Sequence, residues 1–284
     1  MTNRTYTREQ MMNLHEEGYS LWVNEGRLHQ VNPEEVNITA EPPYTKTPAD
    51  LINGIIGDRQ DIRYLEIGVH EGETFDLINA MTKHGVDPYG GSPNITHKMS
   101  SQMFFAMNNY FYRETYDIIF IDGCHMAKII EQEVIEASQI LRPGGVIILH
   151  DTVPLREVSQ LVLHEEYESF LGNLPGQEEY KSFREYSLDN PWLGYNGDSW
   201  RVVHRLRNRP KSDKIFVGTA ADACCTVVAI EPSAHGFDPP PPTQKVDWDY
   251  YYNHCADILL PMEFEVIVKA FNDRLNEYKD TSAP

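Results

Sequence analysis

Tyr116-Asp117-Ile118-Ile119-Phe120-Ile121-Asp122-Gly123-Cys124-His125 is the stretch on which the fold turns. From Tyr116 to Ile121 it is apolar apart from Asp117, and short, which is the pattern of a strand buried on both faces. It breaks at Asp122-Gly123, a turn. Met126, Ile129, Ile130, Val134, Ala137 and Leu141 then recur at spacings of three and four, which predicts an amphipathic helix from Met126 to Leu141. Pro143-Gly144-Gly145 stops that helix, and Val146-Ile147-Ile148-Leu149 reads as another buried strand. Strand, helix and strand at these lengths make a βαβ unit, and a right-handed crossover leaves the two strands parallel.

The same alternation extends outward. Upstream, Ala49–Ile56 suggests a short helix, and Arg63-Tyr64-Leu65-Glu66-Ile67-Gly68-Val69 a strand that ends in a glycine turn. Thr74–Lys83 reads as a helix, Gly85-Val86-Asp87 as the end of a second strand, and Ile95–Met99 as a third, followed by a helix through Met103-Phe104-Phe105. Downstream come a helix near Leu155–Phe170, a polar stretch over 171–198, and a helix from Ser199 to Arg207. Lys214–Gly218 and Cys225–Ile230 close the sheet as an antiparallel hairpin. Tyr6–Asn24 has mixed helical periodicity, and Pro261–Tyr278 reads as a helix beyond the stiff Pro239–Pro242 run. The expected fold class is α/β: a doubly wound, mostly parallel sheet with a terminal antiparallel hairpin and helical N- and C-terminal extensions. The expected division is an arm over 1–47, one domain over 48–231 and a tail over 232–284.

Composition narrows the function. The chain has 284 residues, 24 Lys+Arg against 43 Asp+Glu, and a formal charge of −19. That balance argues against nucleic acid and anionic lipid as partners. No run approaches the ~18–20 apolar residues of a membrane-spanning helix, and the first 30 residues lack the apolar core of a signal peptide. Cys124, Cys224, Cys225 and Cys255 form no C-x-x-C pair, which suits free thiols in a reducing compartment. A cytoplasmic location is expected.

In an open parallel sheet, ligands bind beyond the strand carboxyl ends. The residues there are Glu66-Ile67-Gly68-Val69-His70-Glu71-Gly72-Glu73-Thr74, Asp87, Ile121-Asp122-Gly123-Cys124-His125 and Leu149-His150-Asp151-Thr152. The first lacks both the G-x-G-x-x-G fingerprint and the G-K-[ST] ending of a P-loop. Its acids suit a ligand with a positive centre better than a pyrophosphate, although a plain strand-to-helix turn would read the same way. Asp87 suits ribose hydroxyls. Asp122, His125, His150 and Asp151 should converge at two neighbouring strand ends, where a histidine can take a proton from a hydroxyl and Asp with His can hold a divalent cation.

Taken together, Glu66-x-Gly68-x-x-x-Gly72-x-Thr74, Asp87, Ile121-Asp122-Gly123-x-His125, Leu141-Arg142-Pro143-Gly144-Gly145-Val146 and His150-Asp151 resemble a class I S-adenosylmethionine-dependent methyltransferase. The branch resembled is that of sugar and small-molecule O-methyltransferases, and the likeness covers roughly residues 48–231. It implies a Rossmann-like sheet of seven strands. It implies S-adenosylmethionine bound by Glu66, Gly68 and Gly72 at the methionine part, Asp87 at the ribose, Ser101 and Gln102 near the adenine, and Asp122 at the methyl-transfer edge. In metal-dependent relatives the positions matching Asp122, His150 and Asp151 hold Mg2+; His150 departs from the usual carboxylate or amide there. His125 is the first candidate for the base, with His150 second and Asp151 to orient it. The implied acceptor is a small hydroxylated molecule, such as a sugar. The N-terminal arm and residues 171–198 are expected to cover it, with Trp192 and Asp198-Ser199-Trp200 as candidate lid residues. The aromatic tail suits packing on the domain or on a second copy in a homo-oligomer. Glu41-Pro42-Pro43-Tyr44 has the look of the D/N-P-P-Y motif of nucleobase methylation, but it precedes the sheet instead of following the fourth strand. The competing readings are an NAD-dependent oxidoreductase, which would need the missing phosphate fingerprint, and a scaffold that binds the cofactor without turnover.

Overall fold

The structure, a computed structural model, describes residues 20–24, 27–31, 46–154, 196–208, 215–230 and 248–282. A small antiparallel pair comes first, β1 (Ser20–Asn24) with β2 (Arg27–Val31). The main sheet is built from β3 (Arg63–Ile67), β4 (Thr82–Val86), β5 (Tyr116–Ile121), β6 (Leu141–Leu149), β7 (Ile215–Ala220) and β8 (Cys225–Ile230). Its order is β4-β3-β5-β6-β8-β7. The first four strands are parallel, while β8 runs antiparallel to both β6 and β7.

The period-two alternation of the strands sends their side chains into two separate cores. Tyr64, Ile118, Phe120, Val146, Ile148, Val227 and Ala229 face one side, where they meet α1 (Pro48–Ile56) and α6 (Phe264–Ser282). Leu65, Ile67, Ile119, Ile121, Ile147, Leu149 and Val228 face the other, against α2 (Ser101–Met107), α3 (Ala127–Ile140) and α4 (Trp200–Arg207). On α6, Phe264, Ile267, Phe271 and Leu275 recur at helical spacing and are all buried, each contributing on the order of 1.5–3 kcal/mol. A third cluster joins Trp200 of α4 to Tyr251 of α5 (Trp248–Leu259), with ring centroids 4.6 Å apart. Tyr251 of the aromatic tail thus packs on the domain. Asp117, the one polar residue inside β5, accepts hydrogen bonds from the Arg63 amide (2.8 Å) and the Arg142 guanidinium (3.2 Å).

Several expectations are corrected. Among the described residues the main sheet has six strands, not seven. The third strand expected at Ile95–Met99 is a single parallel bridge, Val86 to His97. The Thr96 hydroxyl takes the Gly85 amide at 2.9 Å and donates to the Gly85 carbonyl at 3.1 Å. A side chain thus occupies the Gly85 amide that a ladder would need, so pairing does not propagate. The helix expected over Thr74–Lys83 is one 3-10 turn, Phe75–Leu77, followed by extended chain into β4. The Asn53 side chain of α1 donates to the Leu77 carbonyl and accepts from the Asn79 amide. Those bonds hold the backbone out of the helix, and Leu77 and Met81 remain exposed. At the amino end, Ser20–Asn24 is a strand in place of the end of a helix. The helix expected at 155–170, Trp192 and the Glu41–Tyr44 stretch lie outside the described residues.

Candidate functional site

Backbone hydrogen bonds continue the parallel ladder one residue past the strands. Gly68 donates to Val86 (2.8 Å), Asp122 to Ile67 (2.8 Å) and His150 to Ile121 (3.1 Å). Gly68, Asp122 and His150 are therefore fixed side by side along the carboxyl edge. Gly68 has φ +90°, and a Cβ there would sit 2.3 Å from the Asp122 carbonyl oxygen. The residue is glycine because the β3 and β5 turns touch at backbone level, a closeness no other residue permits.

Four side chains converge at the ends of β5 and β6. His150 Nδ1 lies 2.9 Å from Asp122 Oδ1 and 3.2 Å from Asp151 Oδ2. His125 Nε2 lies 3.1 Å from Asp151 Oδ2 and 3.8 Å from Asp122 Oδ1. Asp151 has φ +54°, a left-handed backbone that aspartate tolerates better than most residues, and its carboxylate points toward both rings. The His150 ring also stands edge-on to Phe120, at 5.8 Å.

The electrostatics follow from this arrangement. Burial disfavours charge on His150, but Asp122 and Asp151 outweigh it and raise its pKa well above the usual imidazole range. His125 is raised in the same way: burial opposes, and Asp151 and then Asp122 prevail. Burial likewise opposes the charge on Asp122, but the two imidazoles hold its carboxyl well below the usual carboxylate range.

Three further residues hold this cluster in place, and of them only Asp198 stands out in the sequence, as a lid candidate. The Asn196 amide, almost fully buried, donates to Asp151 Oδ1 at 3.1 Å. Gly197, at φ +56°, lies so close to His125 that a Cβ would meet its carbonyl oxygen at 2.1 Å. Asp198 accepts from the Ala127 amide at 2.6 Å, capping α3 from 71 residues away, since Met126 at the helix start offers no side-chain cap. Asn-Gly-Asp-Ser reads as an ordinary turn, and only the fold brings it to the cluster. Trp200, the neighbouring lid candidate, is buried in the third core.

The remaining candidates sit on β3, on α2 and in the loops that follow β3 and β4. Glu66 is buried and accepts a hydrogen bond from the Tyr64 hydroxyl; burial pushes its pKa up to about 8. Asp87 accepts from three backbone amides, His70 (2.9 Å), Tyr89 (2.8 Å) and Gly90 (2.6 Å). Burial works to raise its pKa, and these donors bring it below the usual range. Of roughly four acceptor positions on a carboxylate, three are therefore used in shaping its own loop. Gly72, at φ +94°, closes the turn onto Val69. Ser101 is buried against Glu133 of α3, whereas Gln102 beside it is exposed. The four cysteines are free thiols; Cys124 is half-buried, which raises its pKa to about 11. Among the described residues, no helix is long and apolar enough to cross a membrane.

Residues 65–152, from β3 to the turn after β6, match a family model described as a methyltransferase domain. No curated protein matches the chain. Similar solved structures include the MycE methyltransferase of the mycinamycin biosynthetic pathway in complex with Mg, SAH and mycinamycin VI. It is 14% identical over 66% of this chain and 49% of that one, with a TM-score of 0.36. An O-methyltransferase from Bacillus cereus in complex with SAH is 13% identical over 81% of this chain and 93% of that one, with a TM-score of 0.38. The O-methyltransferase TomG from Streptomyces achromogenes, involved in tomaymycin synthesis and in complex with SAM, is 12% identical over 81% and 92%, with a TM-score of 0.37. The chain spans about half the length of MycE.

Proposed function

We propose that the protein transfers the methyl group of S-adenosylmethionine to a hydroxyl of a small molecule, with a sugar as the acceptor class; the match of residues 65–152 to a methyltransferase-domain model supports this reading. The observation that carries this reading is the pairing of His125 with Asp151 at the edge of the sheet, 3.1 Å apart.

The sulfonium makes its methyl carbon electrophilic, so the protein has to align an oxygen with it and take up one proton. The oxygen–carbon bond would form as the carbon–sulfur bond breaks, with S-adenosylhomocysteine as the neutral thioether product. His125 would take up the hydroxyl proton, and the Asp151 carboxylate would stabilise the resulting imidazolium. Glu66, Gly68 and Gly72 would bind the methionine part. Glu66, neutral when buried alone, would ionise against the cofactor's ammonium group. Asp87 has about one acceptor position left and would hold one ribose hydroxyl. Ser101 and Gln102 would stand on the adenine side. Asp122, His150 and Asp151 supply two carboxylate oxygens and an imidazole nitrogen, a donor set that fits a divalent cation. Such an ion, when bound, would withdraw charge from the acceptor oxygen. The free cysteines suit the cytoplasm.

Calorimetric titration with S-adenosylmethionine and with NAD tests the cofactor, and transfer of labelled methyl to a panel of sugars and phenols tests the reaction. Binding of S-adenosylmethionine with transfer to a hydroxyl is expected. Binding of NAD in its place, or cofactor binding with no transfer to any hydroxyl, overturns the reading.

A further inference from the structure

Residues 88–113 contain no aspartate or glutamate, in a chain that carries 43 of them. This is the longest acid-free run of the sequence, and its only full charges are Lys98 and Arg113. Its second half forms α2 and the wider π turn that continues it, Asn108–Tyr112. Met103, Tyr110 and Phe111 stand out from this element into solvent, at 55%, 76% and 73% exposure. Among the described residues, no other stretch of similar length exposes as many large apolar side chains.

The aromatic end of this face is fixed. The Asn108 side chain accepts from the Glu114 amide and donates to the Glu114 carbonyl, both at 3.0 Å. The Arg113 amide donates to the Asn108 carbonyl at 2.8 Å. Tyr112 turns back to pack on His97, with ring centroids 5.3 Å apart. Tyr110 and Phe111 are thus presented on a pinned turn, and a surface held in one conformation loses little entropy when it is covered. The neighbouring acids are engaged within the chain. Glu114 pairs with Arg63, and Glu136 accepts from Asn109 at 3.3 Å and from Gln132 at 2.9 Å.

Charge decides what can cover this face. Each copy of the chain carries −19, so two copies repel over most of their surface. Salt confines that repulsion to about 8 Å under physiological conditions, but an acid buried unpaired in a contact remains costly. Two copies therefore meet most cheaply where acids are absent. An acidic partner or an anionic membrane would call for a cationic cluster, and Lys98 and Arg113 alone do not make one. A two-fold contact sets a patch against itself. An uncharged aromatic stripe suits that arrangement, because rings pack offset or edge to face. We propose that the face formed by Met103, Tyr110 and Phe111 is the interface of a symmetric homodimer. The aromatic tail does not supply this contact, since its Tyr251 is buried within its own chain.

Sedimentation equilibrium of the full chain tests this, from nanomolar to high micromolar concentration and at low and high salt. A monomer–dimer equilibrium is expected, tighter at high salt because screening removes repulsion between like-charged copies. Phe111→Glu returns a carboxylate to the face and should weaken the dimer about 30-fold or more. Tyr110→Glu should do the same, so the outcome does not hang on the folding of one variant, which circular dichroism checks. Leu77→Glu, at an exposed apolar side chain elsewhere, should change the dimer constant by no more than about twofold. A monomer at every concentration, a dimer that both glutamate variants leave intact, or a dimer that loosens as salt rises overturns the proposal. So does binding of the monomer to neutral phosphatidylcholine vesicles in place of self-association. None of these readouts involves cofactor or methyl transfer, so their failure leaves the proposed reaction untouched.

Discussion

Gly68 and Gly123 touch each other, yet adding a methyl group to each should have opposite consequences. At Gly68 a Cβ would lie 2.3 Å from the Asp122 carbonyl oxygen and 2.4 Å from the Gly123 Cα. To reach even 3.0 Å, below which Cβ contacts essentially never occur, the Asp122 backbone must retreat by about 0.7 Å. Both neighbours are backbone, so no rotamer change relieves the overlap. Overpacking of this kind costs roughly 1–3 kcal/mol, and the left-handed φ of +90° adds roughly 1–2 kcal/mol for a residue with a Cβ. Gly68→Ala should therefore lose about 2–5 kcal/mol, a large part of the ~5–15 kcal/mol typical of a folded domain. At Gly123 the nearest atom to an added Cβ is Ile67 Cγ2 at 3.6 Å, an ordinary contact, and no positive φ is involved. Gly123→Ala should stay within about 1 kcal/mol of the parent. Urea unfolding of the two variants beside the parent measures both numbers. The Gly68 variant should also bind S-adenosylmethionine less well at permissive temperature, because Asp122 moves with its backbone. Equal costs for the two alanines, or a larger one at Gly123, would refute the claim that the β3 and β5 turns are in backbone contact.

His125→Ala should lower turnover about 100-fold or more while the affinity for S-adenosylmethionine survives; unchanged turnover removes His125 from the chemistry. Asn196→Ala removes the amide that orients Asp151 and should lower turnover about 10–100-fold with little change in cofactor affinity; full activity would make Asn196 a packing residue only. Asp198→Ala should cost about 0.5–2 kcal/mol as a lost helix cap, read as a lower urea midpoint. Glu66 should give stability a pH dependence. Its folded pKa, about 8, is raised above the unfolded 4.5, so its contribution is whole below about pH 4.5 and is lost as pH rises through 8. The slope reaches about 1.4 kcal/mol per pH unit in between. Glu66→Gln should flatten that part of the curve, and unfolding midpoints from pH 5 to 8 that run parallel in the two proteins would contradict it.

Much of the site was legible because its residues are tied to strand ends. Once Tyr116–Ile121 and Val146–Leu149 are read as parallel buried strands, Asp122, His125, His150 and Asp151 must lie on one edge, and the structure sets them 2.9–3.8 Å apart. The helix from Ala127 to Ile140 and the closing hairpin were legible for a similar reason: periodicity is a local property, and here no tertiary contact opposes it.

Tertiary contacts rule wherever a distant group takes over the backbone's hydrogen bonds or its space. Asn53 holds the chain out of a helix after Leu77, and Thr96 stands in for a strand beside Gly85. Asp198 caps α3 across 71 residues, and Asn196 aims Asp151. Gly68 shows both levels in one residue. Local pattern alone places a tight turn after the first strand of the main sheet. The fold determined what that turn must accommodate, the carbonyl of Asp122, because packing distances between segments 54 residues apart are a property of the assembled sheet and of no local pattern.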